Sequence, residues 1–214
     1  MRGPRLVGAL AVVIALAGAG CGSSDKAGSP TTSAPANAIV WPAPPNPMAL
    51  ATKAGLVPET SEHLEYHVHA HLDVFVNGQK VTVPAGLGID IENPGVHTFD
   101  NIAGAKGYGG IVPPCKTPCI SPLHTHDVSG IIHTESSTVK NNTLGQLFTE
   151  WDVKLDANCV DKYCKPDIDI TFYVNGKPFS GDPRTIPLSN LKEIAIVIGT
   201  PPAEIPAVGD FSAL

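Results

Sequence analysis

The sequence predicts an α+β fold, an antiparallel-rich mixed sheet covered by one main helix. Three observations carry that expectation. From Glu65 the chain alternates strictly, with Tyr66, Val68, Ala70, Leu72, Val74 and Val76 in one row and Glu65, His67, His69, His71, Asp73 and Phe75 in the other. A period of two marks a strand with one face on a core. Two Asn-Gly pairs, Asn77-Gly78 and Asn175-Gly176, each close an apolar run and supply the two positive-φ positions of a tight hairpin. In NNTLGQLFTEWDVKL, finally, Leu144, Leu147, Phe148 and Trp151 fall at i, i+3, i+4 and i+7, one apolar face of a helix. A compact β-sandwich is the alternative class.

Four stretches are expected along the chain. Arg2 and Arg5 precede the apolar run LVGALAVVIALAGAG, which stops at Cys21. A basic start, a short apolar middle and small residues before a cleavage point make a signal peptide over residues 1–20, too short for the roughly 20 apolar residues of a membrane span. ALAGAG-Cys21 resembles the lipobox of bacterial lipoproteins, with Gly18 where that family prefers Leu. The resemblance implies that Cys21 carries fatty acyl chains, palmitate among them. It would then hold the protein on the outer, extracytoplasmic face of the cell membrane. An ordinary cleaved secretion signal is the alternative.

Residues 21–60, rich in Pro, Ser and Ala, read as a linker with too few apolar side chains to pack. Within it, PMALATKAG makes a short helix ending at Gly55. Residues 61–199 form the histidine-rich domain, long enough for one core, and residues 200–214 a flexible tail.

Within the domain the order of elements follows from local pattern. The alternating strand from Tyr66 turns at Asn77-Gly78 and returns as KVTVP. SGIIHTES is a strand, and Thr143 followed by Gln146 fits a capping box at the start of the helix. In DIDITFYVNGKPF, Ile168, Ile170, Phe172 and Val174 alternate with polar residues before the second turn, and EIAIVIG is the last strand. The run YVNGKPFSGDPRTIPLSNLKEIAIVIG resembles the second half of a ubiquitin-like β-grasp domain. That likeness implies a hairpin, a loop and a final central strand for the C-terminal third.

The formal net charge is −6, and removal of the leader takes away two arginines and makes the chain more acidic. Nucleic acid as a partner is excluded by the lack of a basic patch, while cations suit an acidic surface. Cys21 apart, four cysteines remain, Cys115, Cys119, Cys159 and Cys164. An even number in an exported chain points to two disulfides, with three pairings open. Cys115-Lys-Thr-Pro-Cys119 also resembles the CxxxC of copper chaperones serving cytochrome oxidase, but Ile120 stands where those proteins have Pro.

Six of the eight histidines lie in two short stretches, His67, His69 and His71 in one and His124, His126 and His133 in the other. Residues i, i+2 and i+4 of a strand project from one face. Two imidazoles so spaced can converge on an ion about 2.0–2.1 Å from each nitrogen. All six are candidate ligands, with His67 or His69, His71, His124 and His126 first and His133 next. Asp73 and Asp127 are candidates to orient an imidazole from behind, although Asp127 equally suits a turn that caps its own backbone.

Imidazole donors select Cu²⁺ or Zn²⁺, and the only methionines, Met1 and Met48, lie outside the domain, against a thioether-lined Cu⁺ site. His71-Leu72-Asp73 resembles the HxD of non-haem iron oxygenases, but their jelly rolls need more strands. His124-Thr-His126 resembles the cupin HxH, with Gly130 where cupins carry glutamate. No GxSxG elbow, P-loop or HExxH occurs. The sequence therefore points to a module that binds Cu²⁺ or Zn²⁺ for sequestration or delivery. The alternatives are a small extracytoplasmic metalloenzyme, with Asp127, Asp73 or Glu135 as base, and a metal-free interaction module whose histidines respond to pH. The sequence names no protein partner.

Overall fold

The computed structural model describes residues 39–101 and 104–214; the expected leader, Cys21 and the first part of the linker lie outside them. In chain order the elements are α1 (Pro47–Lys53), β1 (Tyr66–Val76), β2 (Gln79–Val81), β3 (His97–Asp100), β4 (Lys106–Gly109), β5 (Leu123–His124), β6 (Ile131–Ser136), α2 (Leu144–Glu150), β7 (Cys159–Val160), β8 (Tyr163–Cys164), β9 (Ile170–Val174), β10 (Lys177–Phe179) and β11 (Lys192–Ile198), with a 3₁₀ turn at Pro183–Thr185. No helix among the described residues is long and apolar enough to cross a membrane.

One mixed sheet organises these elements. Its order is β10-β9-β11-β1-β6-β5, with β2 also paired to β1. The alternating row of β1 explains why this strand is central: it is eleven residues long, enough to serve several partners. Its edge away from β11 is shared. β6 runs antiparallel along Tyr66 to His71, and β2 takes Val74 to Val76. Along the other edge β11 runs parallel, from Ala70↔Lys192 to Val76↔Ile198. A mixed sheet with two α-helices among the described residues fits the expected α+β class.

Both Asn-Gly turns form as the sequence predicts, with φ of 49° and 78° at Asn77 and Gly78, and 48° and 73° at Asn175 and Gly176. Each asparagine also reaches sideways. Asn77 Oδ1 accepts from Thr200 N (3.2 Å) and Asn175 Oδ1 from Glu193 N (3.0 Å), so both hairpins are tied to β11 or its exit.

The main core lies on one face. Ala70, Leu72, Val74 and Val76 of β1 meet Ile132 of β6, Ile194 and Ile196 of β11, and Leu144, Leu147, Phe148 and Trp151 of the helical segment. The main helix starts where the capping pattern predicts, Gln146 Oε1 accepting from Thr143 N at 2.9 Å. It is only seven residues long, because the chain turns through positive φ at Asp152 (55°).

Two boundaries expected from composition are corrected. Residues 39–60 are part of the folded body, not linker. Trp41 is buried, its ring edge-on to Trp151 with centroids 5.7 Å apart, and its carbonyl accepts from Trp151 Nε1 at 3.0 Å. Leu50 and Ala51 of α1 are buried too. A Pro-rich segment with little to bury still docks when one large aromatic finds a site. Residues 200–214, expected as a flexible tail, run along the face of the sheet opposite the core: Ile205 packs on Phe75, Ala195 and Val197, and Phe211 stands 6.0 Å from His71, ring to ring.

The four body cysteines form two local disulfides, Cys115–Cys119 and Cys159–Cys164. The first lies in a small apolar cluster with Ile89, Ile111 and Ile120. Backbone bonds from Cys115 N to Thr60 O and from Cys119 N to Glu59 O, both 2.8 Å, fasten its loop to the segment that leads into β1.

Candidate metal centre

The polar row of β1 faces away from the core, and the strand register decides what it meets. His69 stands opposite His133, which stands opposite His124. Residues directly opposite in an antiparallel pair project from the same face, so three strands place three imidazoles in one rank. The next pair along, His67↔Glu135, adds a fourth imidazole and a carboxylate. His126, two residues beyond His124, supplies the fifth.

These side chains converge. Glu135 Oε1 lies 3.1 Å from His67 Nε2, 3.5 Å from His133 Nδ1, 3.8 Å from His124 Nε2 and 3.9 Å from His126 Nε2. Among the nitrogens, His67 Nε2 is 2.8 Å from His69 Nε2 and 3.4 Å from His133 Nδ1, and His124 Nε2 is 3.3 Å from His126 Nε2. Four nitrogens about 2.05 Å from a tetrahedral ion stand about 3.3 Å apart. The spacings here approach that value.

Two rings are held in the tautomer that a ligand needs. His124 Nδ1–H donates to Ser121 O at 2.8 Å and His126 Nδ1–H to Tyr108 O at 2.6 Å. Carbonyls only accept, so in the neutral ring each Nε2 carries the lone pair and turns it toward Glu135. The Tyr108 carbonyl can come so close because residue 109 is glycine: a Cβ there would stand 2.7 Å from His126 Nδ1.

The charges divide in the same sense. Burial, with the neighbouring His126 and His133, holds His124 well below the usual imidazole range. His133 is lowered, chiefly by burial, and His69 is lowered to about 4 by burial, His133 and His67. His126 is raised, because the facing Glu135 and the Tyr108 carbonyl outweigh its burial. Burial alone would raise Glu135. The surrounding imidazoles reverse that and hold its carboxyl well below the carboxylate range. At neutral pH the centre thus sets an ionised Glu135 beside the neutral imidazoles of His69, His124 and His133, a donor set for a borderline divalent ion. Glu135 is nearly fully buried, and its Oε2 has no hydrogen-bond partner. An unpartnered buried carboxylate oxygen is costly, and a cation would satisfy it.

A cavity of about 260 Å³, lined by His67, His69, His126, His133, Phe99 and Leu214, opens onto the centre from its outer side.

The structure brings together five of the six predicted ligands, His67, His69, His124, His126 and His133. His71 is placed apart. Its Nδ1 donates to Glu193 Oε2 at 2.7 Å and its Nε2 to Ser129 O at 3.1 Å, so both ring nitrogens are engaged as donors. Burial lowers this imidazole, but the bond and charge of Glu193 with Asp73 in support prevail and raise it. Asp73 pairs with Lys80 and stands 3.8 Å from His71 Nδ1. Asp127 accepts from Ser129 N at 2.8 Å and from Asn101 Nδ2 at 3.2 Å, the bonds of a turn residue. His71, Asp73 and Glu193 form a second group with metal-ligand spacing.

Sequence reasoning placed Glu135 only among possible bases and missed Glu193. The signal for Glu135 was present, two residues after His133 on one strand. Glu193 becomes visible only through the parallel register His71↔Glu193.

Compared with known proteins, the chain matches no family model, no curated protein and no solved structure.

Proposed function

We propose that this protein binds a divalent transition metal, Cu²⁺ or Zn²⁺, through His67, His69, His124, His126, His133 and Glu135, and that it sequesters or delivers that metal outside the cytoplasm. The observation that carries the reading is Glu135 Oε1 with four imidazole nitrogens within 3.9 Å. His124 and His126, each with Nδ1 bonded to a carbonyl, bring their Nε2 atoms to 3.3 Å of one another, the arrangement an ion between them would use. The outer cavity suits passage of an ion, and no thiolate is offered, because the body cysteines are in disulfides.

Export and a lipid anchor at Cys21 belong to the same proposal, as does a β-grasp ancestry for the frame. In support of the ancestry, two antiparallel hairpins flank a parallel pair in the order β2-β1-β11-β9-β10, with α2 between the hairpins in sequence. The anchor predicts that Cys21→Ser moves the protein from the membrane to the soluble fraction. Unchanged fractionation would remove it.

Metal analysis tests the central claim. The full chain purified without chelator, or equilibrated with Cu²⁺ or Zn²⁺, is expected to retain at least one equivalent of metal, lost in a His124→Ala/His126→Ala variant. No retained metal under either condition would overturn the reading.

A further inference from the structure

Five imidazoles and a carboxylate are more donors than the roughly four that a zinc site uses. The donors form two sets, each with its ligand atoms within 4.8 Å of one another: His124, His126, His133 and Glu135, and His67, His69 and His133. His133 stands in both.

The two sets differ in burial and in how their rings are held. In the first, His124 and Glu135 are buried to 0 % and 3 % exposure, and the rings of His124 and His126 are fixed by backbone carbonyls. In the second, His67 is exposed and His69 half-buried. Their ring nitrogens meet each other at 2.8 Å, and both line the outer cavity. Glu135 reaches toward both sets, with Oε1 3.1 Å from His67 and 3.8 Å from His124, and its Oε2 is buried without a partner. A carboxylate has two oxygens, and a carboxylate between two ions commonly engages one with each.

We propose that the centre is dinuclear. An inner ion is retained on His124, His126 and His133, and an outer, exchangeable ion is held by His67 and His69, with Glu135 between the two. This rests on the metal-binding reading above and adds stoichiometry and order to it. The inner position fills first, because its rings are already oriented and little freedom is lost on binding. The outer position, on one exposed and one half-buried ring beside the cavity, loads and unloads. A protein built this way hands on one ion while keeping the other as part of its structure.

The test is a Cu²⁺ titration of the chelator-stripped full chain, carrying Cys21→Ser so that no free thiol competes, in detergent micelles with both disulfides intact. Bound copper is measured by equilibrium dialysis and its environment by electron paramagnetic resonance. Two ions sharing a carboxylate lie about 3.5–4 Å apart, close enough for their spins to couple. Two equivalents are expected. The resonance should grow over the first equivalent and fall over the second. In His67→Ala/His69→Ala, altered only at the rim, one equivalent should remain with an uncoupled signal.

A single equivalent in the parent chain would overturn the dinuclear inference and leave the one-ion reading standing. Two equivalents without coupling, or two retained by the rim variant, would also overturn it. No bound copper would overturn the dinuclear inference, and no bound Zn²⁺ in a parallel dialysis would remove the metal-binding reading with it.

Discussion

Glu150 offers a prediction whose size follows from its surroundings. It sits at the end of α2, fully buried, and neither carboxyl oxygen has a hydrogen-bond partner. Burial pushes its carboxyl up to about 8. In the unfolded chain the same group ionises near pH 4.3. Between those two values the folded state holds a proton that the unfolded state has lost. Stability from this group is therefore full below about pH 4.3 and declines as pH rises toward about 8, by about 1.4 kcal/mol per pH unit.

Glu150→Gln keeps the shape and removes the titration. The variant's stability relative to the parent should rise by roughly 3 kcal/mol from pH 5 to pH 7, measured by urea unfolding at pH 5, 6 and 7 with chelator present. Histidine titrations occur in both proteins and cancel in the difference. Burying the extra N–H groups of glutamine adds an offset of about 1–3 kcal/mol, but that offset is the same at every pH. The slope is the test. A gap that stays constant from pH 5 to pH 7 would refute the argument that Glu150 is held as a neutral acid.

The remaining predictions concern the metal centre and the domain boundary. Gly109→Ala places a Cβ 2.7 Å from His126 Nδ1 and must turn the ring away from the Tyr108 carbonyl; metal affinity should fall about 10–100-fold, and unchanged affinity by calorimetry would refute that. Trp41→Ala should cost about 3–5 kcal/mol in urea unfolding, whereas a loss below about 0.5 kcal/mol would return residues 39–60 to the role of linker. Free Zn²⁺ at 100 times its dissociation constant should add about 2.7 kcal/mol. For a body of this size that raises Tm by about 5–11 °C. The rise should vanish in His124→Ala/His126→Ala, and a rise in both proteins would point to binding elsewhere.

Local pattern carried much of the fold. The period of two in β1, the paired positive-φ turns and the helix cap are each settled within a few residues, and each forms where the sequence places it. Pairing across the chain was not legible. That His71 shares a face with His67 and His69 follows from alternation alone; that it meets Glu193 depends on β11 lying parallel beside it. Likewise, HxH at His124 announces two aligned rings. It does not reveal that β5 sets His124 in rank with His133 and His69. Composition misled at residues 39–60, because one tryptophan outweighed nine residues of Pro and Ala in deciding whether the segment packs.

The two rows of β1 also check one another. Strand side chains alternate with a period of two, so a slip of one residue exchanges every inward residue for an outward one. A chain that paired β1 one step out of place would thrust His67, His69 and His71 under the helices and set Leu72 and Val74 on the face of Glu193 and the imidazoles. Few single-residue errors in a sheet are so heavily penalised on both sides at once. The imidazole ladder, whatever it holds, thus proofreads the assembly of the strand that carries it, and Asn77, bonded to the exit of β11, locks the accepted alignment at its far end.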